Sequence, residues 1–160
     1  MMGLEGIPAF YIQSILAGEN DYEKFEKTKH KRSINRREWT LEEVENKLSD
    51  TKSKSFRVFN ELRRLVKIRT KQKAFHPNAT QFTLHLGNGI FGIWRQSVDH
   101  EQSLFAIHNL TNQEQELFLY NVNLTCTETW TDLIAWDTID LTDDVVILKP
   151  YQCMWVTNKV

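Results

Sequence analysis

Partway along this 160-residue chain, the spacing of the hydrophobic residues and the sign of the charge change at the same place. Up to Lys73 there are 17 Lys and Arg against 11 Asp and Glu, a net +6. From Ala74 on there are 3 against 10, a net −7. Apolar residues before that point recur at helical spacing; those after it alternate in short runs bounded by turn residues. Such a switch marks a domain boundary. It falls near Phe75-His76-Pro77-Asn78, where Pro77 biases His76 toward extended geometry, and it divides the chain into residues 1–74 and 75–160.

Residues 1–74 read as one strand, a polar loop and two helices. Gly6-Ile7-Pro8-Ala9-Phe10-Tyr11-Ile12 is apolar without alternation, as in a strand buried on both faces of a parallel sheet. Nothing else in the chain reads as its neighbour, so it is expected to be an orphan. Glu19 to Arg37 is polar and charged, a long loop by composition. Thr40-Leu41-Glu42-Glu43 fits a capping box, with Trp39 and Val44 spaced as a hydrophobic staple. A second helix is predicted from about Lys54 to Gln72, with Phe56, Phe59, Leu62, Leu65 and Val66 on one stripe.

Residues 75–160 read as antiparallel β. Gln81-Phe82-Thr83-Leu84-His85-Leu86 alternates strictly, Gly87-Asn88-Gly89 tolerates positive φ, and Ile90-Phe91-Gly92-Ile93-Trp94 returns, a hairpin signature. Further strands are predicted at Leu104–Asn109, Glu116–Tyr120, Thr127–Trp130, Val145–Leu148 and Gln152–Thr157, enough for a β-sandwich of six to eight strands. The fold class is therefore α+β, a helical segment followed by an all-β antiparallel sandwich.

The chemistry that these residues exclude is as informative. Hydrophobic residues are 41% and charged residues 26% of the chain, a globular composition. No apolar stretch approaches a membrane span. The apolar start lacks a basic leader and carries a Gly-Ile-Pro turn, which argues against a signal peptide. Cys126 and Cys153 are too few for a disulfide scaffold and read as reduced, buried thiols of a cytoplasmic protein. His30, His76, His85, His100 and His108 show no metal spacing, and no phosphate loop or nucleophile elbow is present. The adjacent carboxylates Glu42/Glu43 and Asp143/Asp144 do not face each other across a bond as a glycosidase pair must.

Three weaker signals remain. The basic helix Lys52–Lys73 has few aromatics to stack on bases, so a solvated face is favoured over nucleic-acid binding. Three Asn-x-Thr sequons (Asn78, Asn109, Asn123) carry little weight without a secretory signal. Trp94, Trp130, Trp136 and Trp155 suit a sugar platform or a sandwich core. The alternative to any larger identity is thus a free-standing carbohydrate-binding or interaction module.

Three stretches carry a resemblance. They are Gly6-Ile7-Pro8-Ala9-Phe10-Tyr11-Ile12-Gln13-Ser14, then Ala17-Gly18-Glu19-Asn20-Asp21-Tyr22, then Arg32-Ser33-Ile34-Asn35-Arg36. In this order they resemble the sucrose phosphorylase and glucosylglycerate phosphorylase branch of the α-amylase superfamily, glycoside hydrolase family 13. Gly-Ile-Pro-x-x-Tyr resembles the eighth strand of that family's catalytic (β/α)8 barrel, and Asn-Asp with Ile-Asn-Arg resembles the loop after it. Leu148-Lys149-Pro150-Tyr151-Gln152-Cys153-Met154-Trp155 resembles the closing strand of its C-terminal β domain.

The resemblance implies that residues 1–74 are the end of a catalytic barrel and 75–160 an amylase-type C-terminal domain. Such enzymes use an aspartate nucleophile, a glutamate acid/base and a second aspartate. In the family these lie on earlier barrel strands, so no catalytic residue is expected here, and no cofactor or metal. The resemblance gives Arg36 a sugar-binding role, since a guanidinium fork holds two oxygens at once. It places Asn20 and Asp21 at the same mouth, touching sugar or pinning the loop. Arg37 stands where sucrose phosphorylases commonly have His, which leaves the acceptor open. The implied partners are a glucoside or sugar phosphate and the missing N-terminal barrel, with no nucleic acid and no membrane. Without that barrel, apolar side chains of residues 1–38 lose burial partners, at roughly 1.5–3 kcal/mol for each large one. Repacking, poor order or self-association of that segment is the expected outcome.

Overall fold

The computed structural model describes residues 2–160 and divides into two compact units. One holds the first residues up to Pro8 together with Ile68–Val160; the other is Ala9–Lys67.

Ala9–Lys67 is built from helices α1 (Ile12–Ile15), α2 (Tyr22–Thr28), α3 (Leu41–Ser49) and most of α4 (Lys54–Arg69). α3 starts as its residues dictate. The Thr40 hydroxyl accepts from the Glu43 N–H at 3.2 Å, and the Glu43 carboxylate accepts from the Thr40 N–H at 3.1 Å. α2 was hidden in a stretch that composition marks as loop. Asp21 caps it, accepting from the Lys24 N–H, and Lys29 ends it at φ 53°. A 3-10 turn, Lys31–Ser33, follows. α4 carries no buried residue except Ser55, whose hydroxyl donates to the Leu16 carbonyl at 2.6 Å.

The run Gly6–Ile12 is not a strand, contrary to the reading of its apolar sequence. It has no pairing partner; Ile7 is 85% exposed and the chain enters α1 at Ile12. A parallel strand needs a neighbour on each side to satisfy its N–H and C=O groups. Every strand pair among the described residues is antiparallel.

The other unit contains eight strands among the described residues. They are β1 (Thr80–His85), β2 (Ile90–Gln96), β3 (Ser103–Asn109), β4 (Gln115–Phe118), β5 (Thr131–Asp132), β6 (Asp137–Thr138), β7 (Val145–Leu148) and β8 (Cys153–Thr157). Six form a sheet in the order β1-β2-β3-β8-β5-β6, and β4 pairs with β7. The β1–β2 hairpin has its expected place, with Gly87 at φ +97° in the turn. The predicted strand at Thr127–Trp130 is displaced, since pairing begins only at Thr131, and the one at Glu116–Tyr120 gives way to a 3-10 turn at Leu119. Phe105, Ile107, Met154 and Val156 of the large sheet pack with Leu117 of β4 and Leu148 of β7, closing the core between the two sheets.

The large sheet is also covered on its other face, which simple alternation did not foretell. Leu104-Phe105-Ala106-Ile107 is buried throughout. Phe75 meets Trp155 edge-on at 4.9 Å, and Gly3 lies against Ala106 and Ile93. A run buried on both faces reads as continuously apolar, as β3 does. The two thiols correct another expectation. Cys126 and Cys153 are both exposed, because Cys126 lies in an irregular surface segment and Cys153 at the open end of its sheet face.

Candidate functional site

The residues singled out by sequence, Asn20, Asp21 and Arg36, all belong to the unit Ala9–Lys67. Asn20 and Asp21 share an open groove of about 660 Å³ with Tyr22, Lys24, Arg37 and Glu38. Arg36 is not in its lining but adjoins it, its carbonyl accepting from the Lys24 ammonium at 3.3 Å. The Arg36 side chain is exposed, and its guanidinium has no hydrogen-bond or ion-pair partner among the described residues.

Asp21 is occupied. Besides capping α2, its own N–H donates to the Ile34 carbonyl at 2.6 Å, which ties the Asn-Asp stretch to Ile-Asn-Arg. Among the described residues Asn20 donates only to the Tyr22 hydroxyl, at 3.3 Å, and it is exposed. Asp21 therefore pins the loop, while Asn20 retains hydrogen-bonding capacity.

The charges of the groove are mostly paired. Lys24 bonds Glu38 at 2.6 Å and Lys27 bonds Glu23 at 2.5 Å. The hydrogen bond from Lys24, with its charge, holds the Glu38 carboxyl below its ordinary range. A general acid at neutral pH needs the opposite shift. Hydrogen-bonding to Glu23, again aided by charge, raises Lys27.

Sequence reasoning missed the residues that support this loop. Tyr11 donates its hydroxyl to the Asn35 carbonyl at 2.9 Å. The buried Gln13 donates its amide to the Arg37 carbonyl at 2.5 Å and accepts from Trp39 Nε1 at 2.9 Å. The available signal was the polar atoms of Tyr11 and Gln13 inside an otherwise apolar run; reading that run as a barrel strand concealed it.

The other candidates do not assemble into a site. Trp130 and Trp155 are buried and Trp94 stacks on Phe105 at 5.9 Å, so of the four tryptophans only Trp136, 65% exposed, presents its ring. On the basic helix, Arg64 is engaged by Glu61 and Arg69 by the Met2 and Gly6 carbonyls. Among the described residues no group of three or more His, Cys, Asp and Glu side chains could hold a metal, and no helix is long and apolar enough to cross a membrane. His108 Nδ1 lies 3.1 Å from Cys153 Sγ, and partial desolvation lowers the histidine and raises the thiol.

Comparison with known proteins bears on the loop and the sheet together. No family model matches the chain. Glucosylglycerate phosphorylase of Escherichia coli K12 is 31% identical over 98% of this chain and 26% of its own length. That of Spirochaeta thermophila is 30% identical over 98% of the chain and 28% of its own. Sucrose 6(F)-phosphate phosphorylase of Thermoanaerobacterium thermosaccharolyticum is 37% identical over 44% of the chain and 13% of its own. The chain thus spans about a quarter of the length of the glucosylglycerate phosphorylases it matches. Among solved structures, AmyP in complex with maltose superposes with a TM-score of 0.56 at 10% identity, over 69% of this chain and 22% of that one. An Anoxybacillus α-amylase gives 0.55 at 15% identity, over 68% and 23%. In sequence the chain is thus similar, over nearly its whole length, to part of the glucosylglycerate phosphorylases, and its fold is shared by part of AmyP and of an Anoxybacillus α-amylase.

Proposed function

We propose that this chain is the sugar-loop and β-domain portion of a retaining α-glucosyl-transferring enzyme resembling glucosylglycerate or sucrose phosphorylase. In this reading Arg36 contributes a fork of donors to the hydroxyls of a bound glucosyl unit, and Asn20 adds a polar contact at the same mouth. Asp21 pins the loop, and the β domain stabilises the whole. The nucleophile, the acid/base and the transition-state aspartate come from elsewhere in the enzyme, and the chain alone is inactive. The domain division at residues 74 and 75 belongs to the same reading.

The observation that carries it is the similarity to a glucosylglycerate phosphorylase along 98% of the chain, matched to only a quarter of that relative. The groove chemistry agrees. Asp21 is a helix cap, and Glu23 and Glu38 are ion-paired to lysines.

The test is an assay in two arms. The purified chain with glucosylglycerate or sucrose plus phosphate is expected to release no glucose 1-phosphate above background. The same chain joined to the upstream three quarters of the E. coli relative is expected to restore phosphorolysis, and Arg36→Ala to lower it. Turnover at an enzymatic rate by the chain alone would overturn the proposal.

A further inference from the structure

Four consecutive carbonyls, those of Ile34, Asn35, Arg36 and Arg37, are each held by a donor from outside their own segment. The Asp21 N–H holds Ile34 at 2.6 Å and the Tyr11 hydroxyl holds Asn35 at 2.9 Å. The Lys24 ammonium holds Arg36 at 3.3 Å and the Gln13 amide holds Arg37 at 2.5 Å. The four donors and the segment they hold all lie within Ala9–Lys67.

This arrangement has a cost and a consequence. A segment outside regular structure meets its backbone demands with water by default. Here one buried glutamine, one tyrosine and one lysine are ordered to meet them instead. Each of these bonds nets only about 0.5–1.5 kcal/mol, but together they fix both peptide planes that flank the Cα of Arg36. Among the described residues, the one long side chain in the segment left without a partner is that of Arg36; its neighbour Arg37 is engaged by Glu43 and Trp39. A fixed backbone under a free guanidinium is the geometry of a preorganised binding group, in which the ordering entropy is spent before the ligand arrives.

We propose that Tyr11, Gln13 and Lys24 are positioning residues for Arg36. They act through the carbonyls of residues 35–37 and not by touching sugar. The inference rests on the subsite role assigned to Arg36 above. It also accounts for why the Gly-Ile-Pro, Asn-Asp and Ile-Asn-Arg stretches occur together. Each supplies either the clamp or what it clamps.

Two measurements test this, and they fail separately. In the 160-residue chain, backbone 15N heteronuclear NOE values at residues 35–37 are expected to fall in Tyr11→Phe, Gln13→Glu and Lys24→Met. Lys24→Arg, which keeps a donor, is expected to restore them. Values unchanged in all three variants would show that no clamp exists. In the chain joined to the upstream part of the E. coli relative, Tyr11→Phe is expected to lower kcat/KM about tenfold or more with little change in the unfolding midpoint. In an Arg36→Ala background the same change is expected to cost nothing further. Losses that add would overturn the positioning role. An Arg36→Ala enzyme as active as its parent would instead remove the subsite reading and leave the clamp standing.

Discussion

The Arg37 guanidinium lies 4.5 Å from the centre of the Trp39 ring, and its Nη2 reaches the Glu43 carboxylate at 3.3 Å. The arginine one residue earlier makes no such contact. Two adjacent arginines of one loop are therefore placed differently, one engaged in the fold and one without a partner among the described residues. The assignment can be read from stability. Arg37→Ala is expected to lower the unfolding free energy by about 0.5–1 kcal/mol through loss of the cation–π contact. Arg36→Ala is expected to stay within about 0.5 kcal/mol of the parent, as exposed unpartnered positions do. Urea titrations of the two variants decide it; an equal loss in both would show that Arg36 is structural as well.

Asp99 ties the β2–β3 turn to the segment before β1. Its carboxylate accepts from Lys73 at 2.6 Å, from the Ser97 hydroxyl at 2.6 Å and from the Glu101 N–H at 3.2 Å. These bonds, the lysine's first, hold its carboxyl well below the ordinary aspartate range. The sign follows from linkage. The folded state binds this proton more weakly than the unfolded state, so the stabilising contribution is complete above the unfolded value near pH 4. It shrinks as pH falls below that and vanishes only beneath the folded value. Asp99→Asn should therefore be less stable than the parent at pH 7, with a gap that closes toward pH 2. A gap that stays constant down to pH 2 would mean the carboxylate's charge contributes nothing.

What the sequence disclosed, and what it withheld, follows from the range of the forces involved. The capping box at Thr40 and Glu43 and the hairpin around Gly87 were legible because each is settled by residues within one turn. Gly6–Ile12 forms no strand in this chain because a strand is a property of its neighbours, and an apolar run alone does not supply them. α2 was missed because Tyr22–Thr28 is only seven residues long, four of them charged and none buried, so Tyr22 and Phe25 alone give too little hydrophobic period to read. At the candidate site, Arg36, Asn20 and Asp21 were named through a resemblance. Tyr11, Gln13 and Lys24 were not, because they reach the loop through backbone carbonyls, and a carbonyl leaves no trace in the identity of the residue that bears it.

Gly3 reports on how the covered face of the large sheet is closed. A Cβ built at this position would lie 2.9 Å from Ala106 Cβ, with Ile93 Cδ1 at 3.5 Å. Ala106 sits on the central strand β3 and cannot move aside cheaply. Gly3→Ala should lift the first residues from the sheet and expose Ala106 and the Trp155 edge. The expected cost is about 1–3 kcal/mol, as for overpacking elsewhere, with a red shift of tryptophan emission. Gly3→Ala together with Ala106→Gly removes the clash and should recover much of that loss. Failure of the pair to recover would place the effect in the backbone and not in the contact.

Asn109, at the end of β3, is buried, and its side chain contacts five polar groups, its two amide hydrogens shared among three carbonyls. Nδ2 donates to the carbonyls of Gln113, Leu148 and Lys149 at 2.7, 3.2 and 2.9 Å. Oδ1 accepts from the Thr111 N–H at 2.9 Å and the Thr111 hydroxyl at 2.8 Å. One amide thus joins β3, the turn before β4 and the end of β7. The Asn109-Leu110-Thr111 sequon is consumed by this structure, because the nitrogen that would carry a glycan is the one facing three carbonyls. Asn109→Asp retains shape and the Thr111 contacts but turns an acceptor toward those carbonyls, either as a buried charge or as a protonated acid with one donor for three partners. It should cost about 3 kcal/mol or more. Asn109→Ala, which only leaves the carbonyls unmet, should cost about 1–3 kcal/mol. The exposed sequon residue Asn123 provides the comparison, with Asn123→Asp expected within about 0.5 kcal/mol of the parent. Chemical denaturation of the three variants orders them. If Asn109→Asp proved no worse than Asn109→Ala, the polarity of the amide would be irrelevant, and the three-carbonyl contact would not be what joins these strands.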